Sequence, residues 1–342
     1  MQWTVAIGVD THKDGHVAVA LDRFGAQLDS FKAAASSSGY LAVHEWAHNL
    51  GEPVFALEGA GSYGAGLARF LQASGGSVFE CERPRRAARG RGKNDLIDAA
   101  LAARRLLSGE RLGAPRGFSG PREDLRLLLL ERRSAIRART ATLNQLQAAL
   151  VTAPERLRAR LGGLAGEQLA RALLRLRRGD GEQAVLRGVL RRLARRVQSL
   201  DTEIAELERE LEEIVAGLTP ELLEECGVGT VCAAQLVVSS GDPARMVSEA
   251  SFAALAGTSP VDASSGRQQR HRLNRGGDRQ LDRALHVIAL SRVRWHAETA
   301  AYYERLLASG KTSREARRCV KRMLARYFHR KLCSLPALAL TT

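Results

Sequence analysis

The chain has 342 residues, long enough for two or three domains that each bury a core of their own. Hydrophobic residues make up 45% of it and charged residues 26%, and the absence of a long apolar run excludes a membrane-embedded helix. The net charge of +15 favours a polyanionic partner, and most of it lies between Arg267 and Lys331, where 18 basic residues accompany five acidic ones.

The cysteines form neither a disulfide framework nor pairs with zinc-binding spacing. We interpret them as reduced, mostly buried thiols: Cys81, Cys226, Cys232, Cys319 and Cys333. The N-terminus enters a strand-like pattern at once, without the charged and apolar regions of a signal peptide. We therefore expect a cytoplasmic protein.

The first 110 residues alternate between short apolar runs and helical patterns. The predicted strands cover 3–9, 16–22, 26–33, 53–57 and 77–81, and the predicted helices cover 37–50, 63–73 and 94–107. A meander of three strands followed by alternating helix and strand is typical of an RNase-H-like α/β domain. Between the last strand and helix, loop 83–93 has six basic residues and no acidic one, and its candidate nucleic-acid contacts are Arg85, Arg86, Arg89, Arg91 and Lys93.

Residues 111–219 are predicted to be helical throughout. Apolar side chains alternate at spacings of four and three, which indicates a coiled coil: Leu186, Leu190, Leu193, Val197, Leu200, Ile204, Leu207, Leu211, Ile214 and Leu218. A helix over 122–150 offers Leu129, Ile136, Leu143 and Leu150 as an antiparallel partner stripe. We expect this region to be a spacer or a dimerisation arm.

The last region, 220–342, is predicted to be a mainly α-helical domain. It begins with Gly227-Val228-Gly229 before a helix, a pattern similar to a helix–hairpin–helix module in which backbone N–H groups at Gly227 and Gly229 approach a phosphate. A simple tight turn is the alternative. The missing third glycine and the absence of a preceding strand argue against a dinucleotide-binding motif.

Four acidic residues are candidates for one site. Asp10 and Glu58 each follow an apolar strand, where an open sheet presents side chains to a crevice. Asp95 and Asp98 lie three residues apart at a helix start and share a face. Taken singly, each could be a helix cap, a turn former or a partner of the helix dipole. Together, four carboxylates need cations, and their hard oxygen ligands suit a pair of Mg²⁺ or Mn²⁺ ions that catalyse phosphodiester displacement.

Loop 260–277 carries a second candidate site. Ser264 and Ser265 precede a glycine, a common arrangement in turns. A serine hydroxyl beside guanidinium groups could also attack a phosphodiester while the cations stabilise the transition state. The neighbouring arginines are candidate phosphate contacts: Arg267, Arg270, Arg272 and Arg275.

Six segments in order resemble transposases of the insertion sequence 110 family, and the similarity extends over nearly the whole chain. They are GVDTHKDGHVAVALD around Asp10, ALEGAGSYG around Glu58, GKNDLIDAALAARRL around Asp95, GVGTVCAAQLVVSSGDPARM from Gly227, FAALAGTSPVDASSGRQQRHRLNRGGDRQLDRAL from Phe252, and AYYERLLASGK from Ala301.

The resemblance implies a RuvC-like DEDD domain whose acids are Asp10, Glu58, Asp95 and Asp98, and a C-terminal transposase domain whose nucleophile is Ser265, with Ser264 as its neighbour. It also implies a covalent serine–DNA link assisted by Mg²⁺, donor and target DNA as substrates, and a bridge RNA from the element that pairs with both. A composite site between subunits, and hence a dimer or tetramer, belongs to the same expectation, as does a bacterial protein that joins the nucleoid when bound to DNA.

Three alternatives remain open at this point. One keeps the fold and uses water as the nucleophile, as in a metal-dependent junction resolvase. Another is a nucleic-acid-binding scaffold without catalysis, whose acids are caps and whose serines form turns. An actin-like ATPase ranks last, because the sequence has no glycine-rich adenosine-binding segment.

Overall fold

The computed structural model describes residues 3–81, 94–109, 112–115, 117, 119–176, 183–241, 248–262, 271–272 and 274–335. The chain divides into two compact units, Met1–Phe118 and Ser119–Thr342. The predicted boundaries at 110/111 and 219/220 stay a prediction. Among the described residues, no helix has the length and apolar character needed to cross a bilayer.

The first unit is a five-stranded sheet with helices on both faces. Its elements are β1 (Val5–Thr11), β2 (Gly15–Asp22), β3 (Gln27–Ala34), α1 (Ser37–Asn49), β4 (Pro53–Glu58), α2 (Ala65–Ala73), β5 (Ser77–Cys81) and α3 (Asp95–Leu107). The strand order is β3-β2-β1-β4-β5, with β1 antiparallel to β2 and parallel to β4. All eight predicted elements are present, with ends shifted by one or two residues. The shift puts Asp10 and Glu58 inside their strands instead of after them.

Side chains alternate between the two faces of the sheet, as the strand period requires. One face carries Ile7, Val9, Phe55 and Leu57 and packs against the apolar sides of α1 and α2. The other carries Ala6, Val19, Leu21 and Val54 and packs against alanines of α3. The small residues Ala6 and Gly8 on this second face allow α3 to lie close to the strands.

The second unit is helical apart from one short hairpin. Its elements are α4 (Pro121–Val151), α5 (Glu155–Leu161), α6 (Gly166–Leu174), α7 (Ala184–Leu218), α8 (Pro220–Leu223), α9 (Thr230–Ser240), α10 (Glu249–Leu255), β6 (Val261–Asp262), β7 (His271–Arg272), α11 (Arg279–Trp295), α12 (Ala297–Ala308) and α13 (Ser313–Cys333). The sequence predicts this middle region to be helical and delimits α4 and α7, but it does not delimit the short helices α5 and α6.

Helices α4 and α7 pack antiparallel within the chain. Ion pairs join Arg132 to Glu208 and Arg139 to Asp201, so residue numbers rise along one helix as they fall along the other. At one end, Leu146 and Leu190 share a core with α5 and α6. Much of the predicted apolar seam of α7 is thus buried inside this chain.

The other ends of α4 and α7 enter a larger core with the C-terminal helices. Leu125 and Leu211 lie there with Phe252, Leu285 and residues of α9 and α13. None of the five cysteines, all of them in described residues, forms a disulfide. The expectation that most are buried is wrong: only Cys81 is buried, three are half-buried and Cys333 is exposed.

Candidate active site

The parallel pairing of β1 with β4 brings two carboxylates side by side. Asp10 is the Cα partner of Glu58 in the strand register, and both side chains are buried, each with 4% of its surface exposed. Asp10 follows Ala6 and Gly8 on the face that packs on α3, and Glu58 follows Val54 and Ala56 on the same face. Two acids therefore share one end of one sheet face.

Helix α3 crosses this face at Gly8. A Cβ atom added at Gly8 would lie 1.9 Å from the Ala99 carbonyl oxygen and 2.4 Å from the Ala103 nitrogen, so only glycine permits this approach. The helix begins with Asn94 as its N-cap, whose side chain accepts a hydrogen bond from the Leu96 N–H at 3.0 Å. Its first turn supplies Asp95, which is half-buried, and Asp98, which is 7% exposed.

A histidine joins the acids. His12 Nε2 lies 3.2 Å from Asp10 Oδ2 and 3.5 Å from Asp95 Oδ2. Within the described residues, one ligand atom each from Asp10, His12 and Asp95 lies within 4.8 Å of the others, an arrangement that could hold a metal ion. Sequence reasoning missed His12, although its position two residues after Asp10 on an extended strand end places both on one face.

The charge of Asp10 is unfavourable in this environment. Burial, the largest influence, raises the pKa of Asp10 above its ordinary value, and the charges of Asp95 and Asp98 raise it further. The contact with His12 acts in the opposite direction. A buried carboxyl whose pKa is raised in this way is typical of functional sites.

The structure thus places all four predicted acids at one end of one sheet face. Asp10 and Asp95 belong to the close group with His12, Asp98 acts on Asp10 through its charge, and Glu58 is the strand partner of Asp10. The predicted Ser264 and Ser265 lie outside the described residues, as do the basic residues Arg85, Arg86, Arg89, Arg91, Lys93, Arg267 and Arg270.

The predicted glycine turn precedes α9 as expected. Gly227 has a positive φ of 80°, and a Cβ there would lie 2.9 Å from Ser291 Cβ of α11. Gly229 is the N-cap of α9, with no side-chain cap. The turn is held by Arg292, which donates to the Cys226 carbonyl at 2.8 Å. The predicted contacts Arg272 and Arg275 are exposed.

A cavity of about 620 Å³ lies at the other end of the sheet. Trp3, Pro53 and Ser77, at or beside the starts of β1, β4 and β5, line it. The four acids lie toward the opposite ends of these strands, so this cavity is separate from the acidic site.

Family models and relatives from insertion elements match this chain. A model of DEDD-type proteins described as "Transposase" matches residues 7–153, and a model described as "Transposase IS116/IS110/IS902 family" matches residues 220–304. The chain is 28% identical over 272 residues to the uncharacterized 42 kDa protein of insertion element IS900 from Mycobacterium paratuberculosis, which covers 67% of this chain and 68% of that protein. It is 37% identical over 100 residues to the uncharacterized 43.6 kDa protein of insertion element IS110 from Streptomyces coelicolor, 29% of this chain and 25% of that protein.

The two models match in sequence order and define a transposase class of DNA-processing enzyme. Over these regions the chain is similar to transposases of the IS116/IS110/IS902 family. The DEDD match also agrees with the sheet, because a mixed five-stranded sheet of this order has the RNase-H-like fold. The family implies DNA transposition and recombination, with DNA as substrate.

Proposed function

We propose that this transposase cuts and rejoins DNA strands with the help of divalent metal bound by Asp10, Glu58, Asp95 and Asp98. The observation that supports this most is the arrangement around Asp10. A buried strand carboxylate faces two acids of α3 and adjoins Glu58. Such a group of carboxylates is stabilised by a cation.

The residues fit a hard divalent cation. Carboxylate oxygens are the ligands that Mg²⁺ and Mn²⁺ favour, and the raised pKa of Asp10 is the response expected of a site built for positive charge. When bound, such ions would stabilise negative charge on the attacking and leaving oxygens of the phosphodiester reaction. The Asp10 carboxylate would bind at the buried end of the site, and Asp95 at its open side. His12 would orient both of them through its Nε2 contacts.

For the nucleophile, we propose Ser265, on the strength of the family resemblance around it. Its hydroxyl oxygen would attack a phosphodiester phosphorus. The serine–phosphorus bond forms as the bond to one DNA oxygen breaks, and the hydroxyl proton passes to that leaving oxygen. Attack by a second DNA hydroxyl would reverse the step and join new strands. Arg272 and Arg275, both exposed, would contact phosphates nearby together with Arg267 and Arg270.

We propose the remaining partners from the family resemblance and the sequence pattern. They include donor and target DNA, a bridge RNA from the element, and phosphate contacts by the 83–93 loop and by the turn at Gly227 and Gly229. A dimer or tetramer would supply a site shared between subunits. Since α4 covers the buried seam positions of α7 in the same chain, the contact between subunits would use other faces of these helices.

The test compares four variants in a strand-cleavage assay with the element's end DNA, candidate RNA and Mg²⁺ or Mn²⁺. Asp10→Asn is expected to lower cleavage at least about 100-fold, because loss of a direct ligand should exceed the effect of losing a supporting residue. Asp14→Asn, an exposed acid on the following turn, is the matched control and should retain activity.

Ser265→Ala should abolish a denaturant-stable protein–DNA adduct, and Ser264→Ala should leave it intact. Cleavage that persists in Ser265→Ala without an adduct would indicate water as the nucleophile. Cleavage unchanged by Asp10→Asn would exclude the proposed metal site.

A further inference from the structure

The last helix, α13, carries a row of arginines at a constant spacing. Every fourth residue from 314 to 330 is arginine: Arg314, Arg318, Arg322, Arg326 and Arg330. Residues four apart on an α-helix are neighbours, separated by about 6 Å along the axis. The helix contains eight basic residues and one acidic residue, Glu315. The row is therefore a continuous line of positive charge.

The row lies opposite the side of α13 that enters the core. Ala316, Val320, Leu324, Phe328 and Leu332 are buried and are also spaced four apart, two residues after each arginine. Two residues correspond to about 200° around a helix, so the arginines are directed away from the buried row. Arg314 and Arg318 are exposed and Arg322 is half-buried. The core thus fixes the orientation of the arginine row.

The two ends of the row differ in their partners. Arg330 Nε donates to Glu249 Oε1 at 2.6 Å, and Arg326 Nε lies 4.0 Å from Glu249 Oε2. Within the described part of the chain, no ion pair involves Arg314, Arg318 or Arg322. The one acid on the helix, Glu315, accepts hydrogen bonds from the backbone N–H and hydroxyl of its N-cap, Thr312.

Arg322 is the most buried of these three arginines. Its Nη1 atom is buried and has no hydrogen-bond partner among the described residues. Burial, and then the charge of Arg326, lowers the pKa of Arg322, while the charge of Glu249 acts in the opposite direction. A bound anion would offset the repulsion between neighbouring guanidinium groups.

We propose that Arg314, Arg318 and Arg322 bind phosphates along the backbone of double-stranded DNA. This rests on the proposed function for the choice of DNA as the polyanion. Guanidinium groups bind phosphate oxygens through paired hydrogen bonds, and a line of them on a rigid helix suits a line of phosphates. Contacts of this kind position DNA without reading its sequence. Helix α13 is then a backbone-binding surface that contributes none of the predicted catalytic residues.

The test measures binding of a short DNA duplex to the full chain as a function of salt concentration. Asp10→Asn serves as the background and divalent metal is omitted, so that binding is separated from cleavage. Each lost phosphate contact lowers the slope of log K against log salt by about 0.9. Arg314→Gln with Arg318→Gln should therefore lower the slope by about two. Adding Arg322→Gln should remove about one more.

Arg156→Gln with Arg160→Gln is the matched control, because these arginines are also exposed and four residues apart on a helix. It changes the net charge equally and should leave the slope unchanged. Circular dichroism checks that every variant is folded. An unaltered slope in the α13 variants, or an equal fall in the control, would overturn the proposal.

A parallel measurement with single-stranded RNA tests the choice of partner. We expect the α13 variants to affect duplex DNA more strongly than RNA, and a loss confined to RNA would contradict the assignment. Failure of the catalytic proposal would appear as cleavage that survives Asp10→Asn. It would leave these slopes unchanged, so the two proposals can fail separately.

Discussion

Two carboxylates that are at least partly buried, one in each compact unit, have opposite surroundings. Asp10 in the first unit has its pKa raised by burial and by Asp95 and Asp98. Glu225 in the second unit is half-buried, and this burial would raise its pKa, but hydrogen bonds from Tyr327, Lys331 and Arg292 prevail and lower it. The negative charge of Glu225 is therefore compensated by hydrogen-bond donors and cations, whereas the negative charge of Asp10 lies beside other acids and is called uncompensated.

The difference indicates that the charge of Glu225 is structural and that the charge of Asp10 is functional. Arg292 and Glu225 form a pair at 2.6 Å, and the Tyr327 hydroxyl donates to the same carboxylate at 2.6 Å. Such a network holds neighbouring segments together, here the turn at Gly227 and helix α13. Around Asp10, acids face acids, which costs stability unless a cation binds. Only the arrangement of acids around Asp10 requires a function to explain it.

The largest stability effect is expected from breaking the compensated network. Arg292→Met should lower the free energy of unfolding by about 3–5 kcal/mol, because it breaks a pair between the buried Arg292 and the half-buried Glu225. It also removes the donor to the Cys226 carbonyl. Urea denaturation measures the change. Arg326→Met is the control, since its guanidinium is 53% exposed and its pairing with Glu249 is long. A loss in Arg292→Met no greater than in the control would refute the structural role.

An intermediate effect is expected at the contact that positions the uncompensated acids. Gly8→Ala should cost about 1–3 kcal/mol, because its Cβ would overlap the backbone of α3. It should also reduce cleavage, since α3 carries Asp95 and Asp98. Gly163→Ala has open space around the new methyl group and should be neutral in both assays. Wild-type stability and activity in Gly8→Ala would show that α3 does not pack so closely.

The smallest effects are opposite pH dependences. The folded-state pKa of Glu225 lies below its ordinary value of 4.5, so its contribution to stability is present above that pH and is lost on acidification. The folded-state pKa of Asp10 lies above its ordinary value of 3.8, so stability falls as pH rises through that interval.

Thermal denaturation between about pH 3 and about pH 7 should therefore show two changes. Glu225→Gln should reduce the loss of stability in acid, and Asp10→Asn should reduce the loss that accompanies rising pH. Parallel shifts in both variants would contradict the distinction between the two carboxylates.

The strands and the helix that carry the acids were predictable because each acid lies at the end of a strand-like apolar run or at the start of a helical pattern. Asp10 and Glu58 each end a run of apolar residues, and Asp95 and Asp98 are separated by one helical turn. The close approach of α3 depends on Gly8, whose role appears only when helix and strand meet. His12 could have been found from strand alternation with Asp10.

Contacts between distant residues were beyond sequence reasoning. Arg292 and Glu225 are 67 positions apart, and no local pattern links them. The arginine row of α13 was visible as a spacing of four, but its separation into compensated and uncompensated ends depends on Glu249, which a different helix supplies. The sequence also did not decide that α7 packs against α4 of the same chain, because a heptad pattern does not specify whether its partner helix belongs to the same chain.

Metal binding at the uncompensated acids is the central claim, and titration of the folded protein with Mn²⁺ or Mg²⁺ tests it most directly. Calorimetry should detect binding to the wild type and to Asp14→Asn, and saturating metal should raise their melting temperatures. Asp10→Asn should be at least as stable as the wild type without metal, yet neither bind nor be stabilised by it. Equal metal binding by Asp10→Asn and the wild type would contradict the assignment of these acids as the metal site.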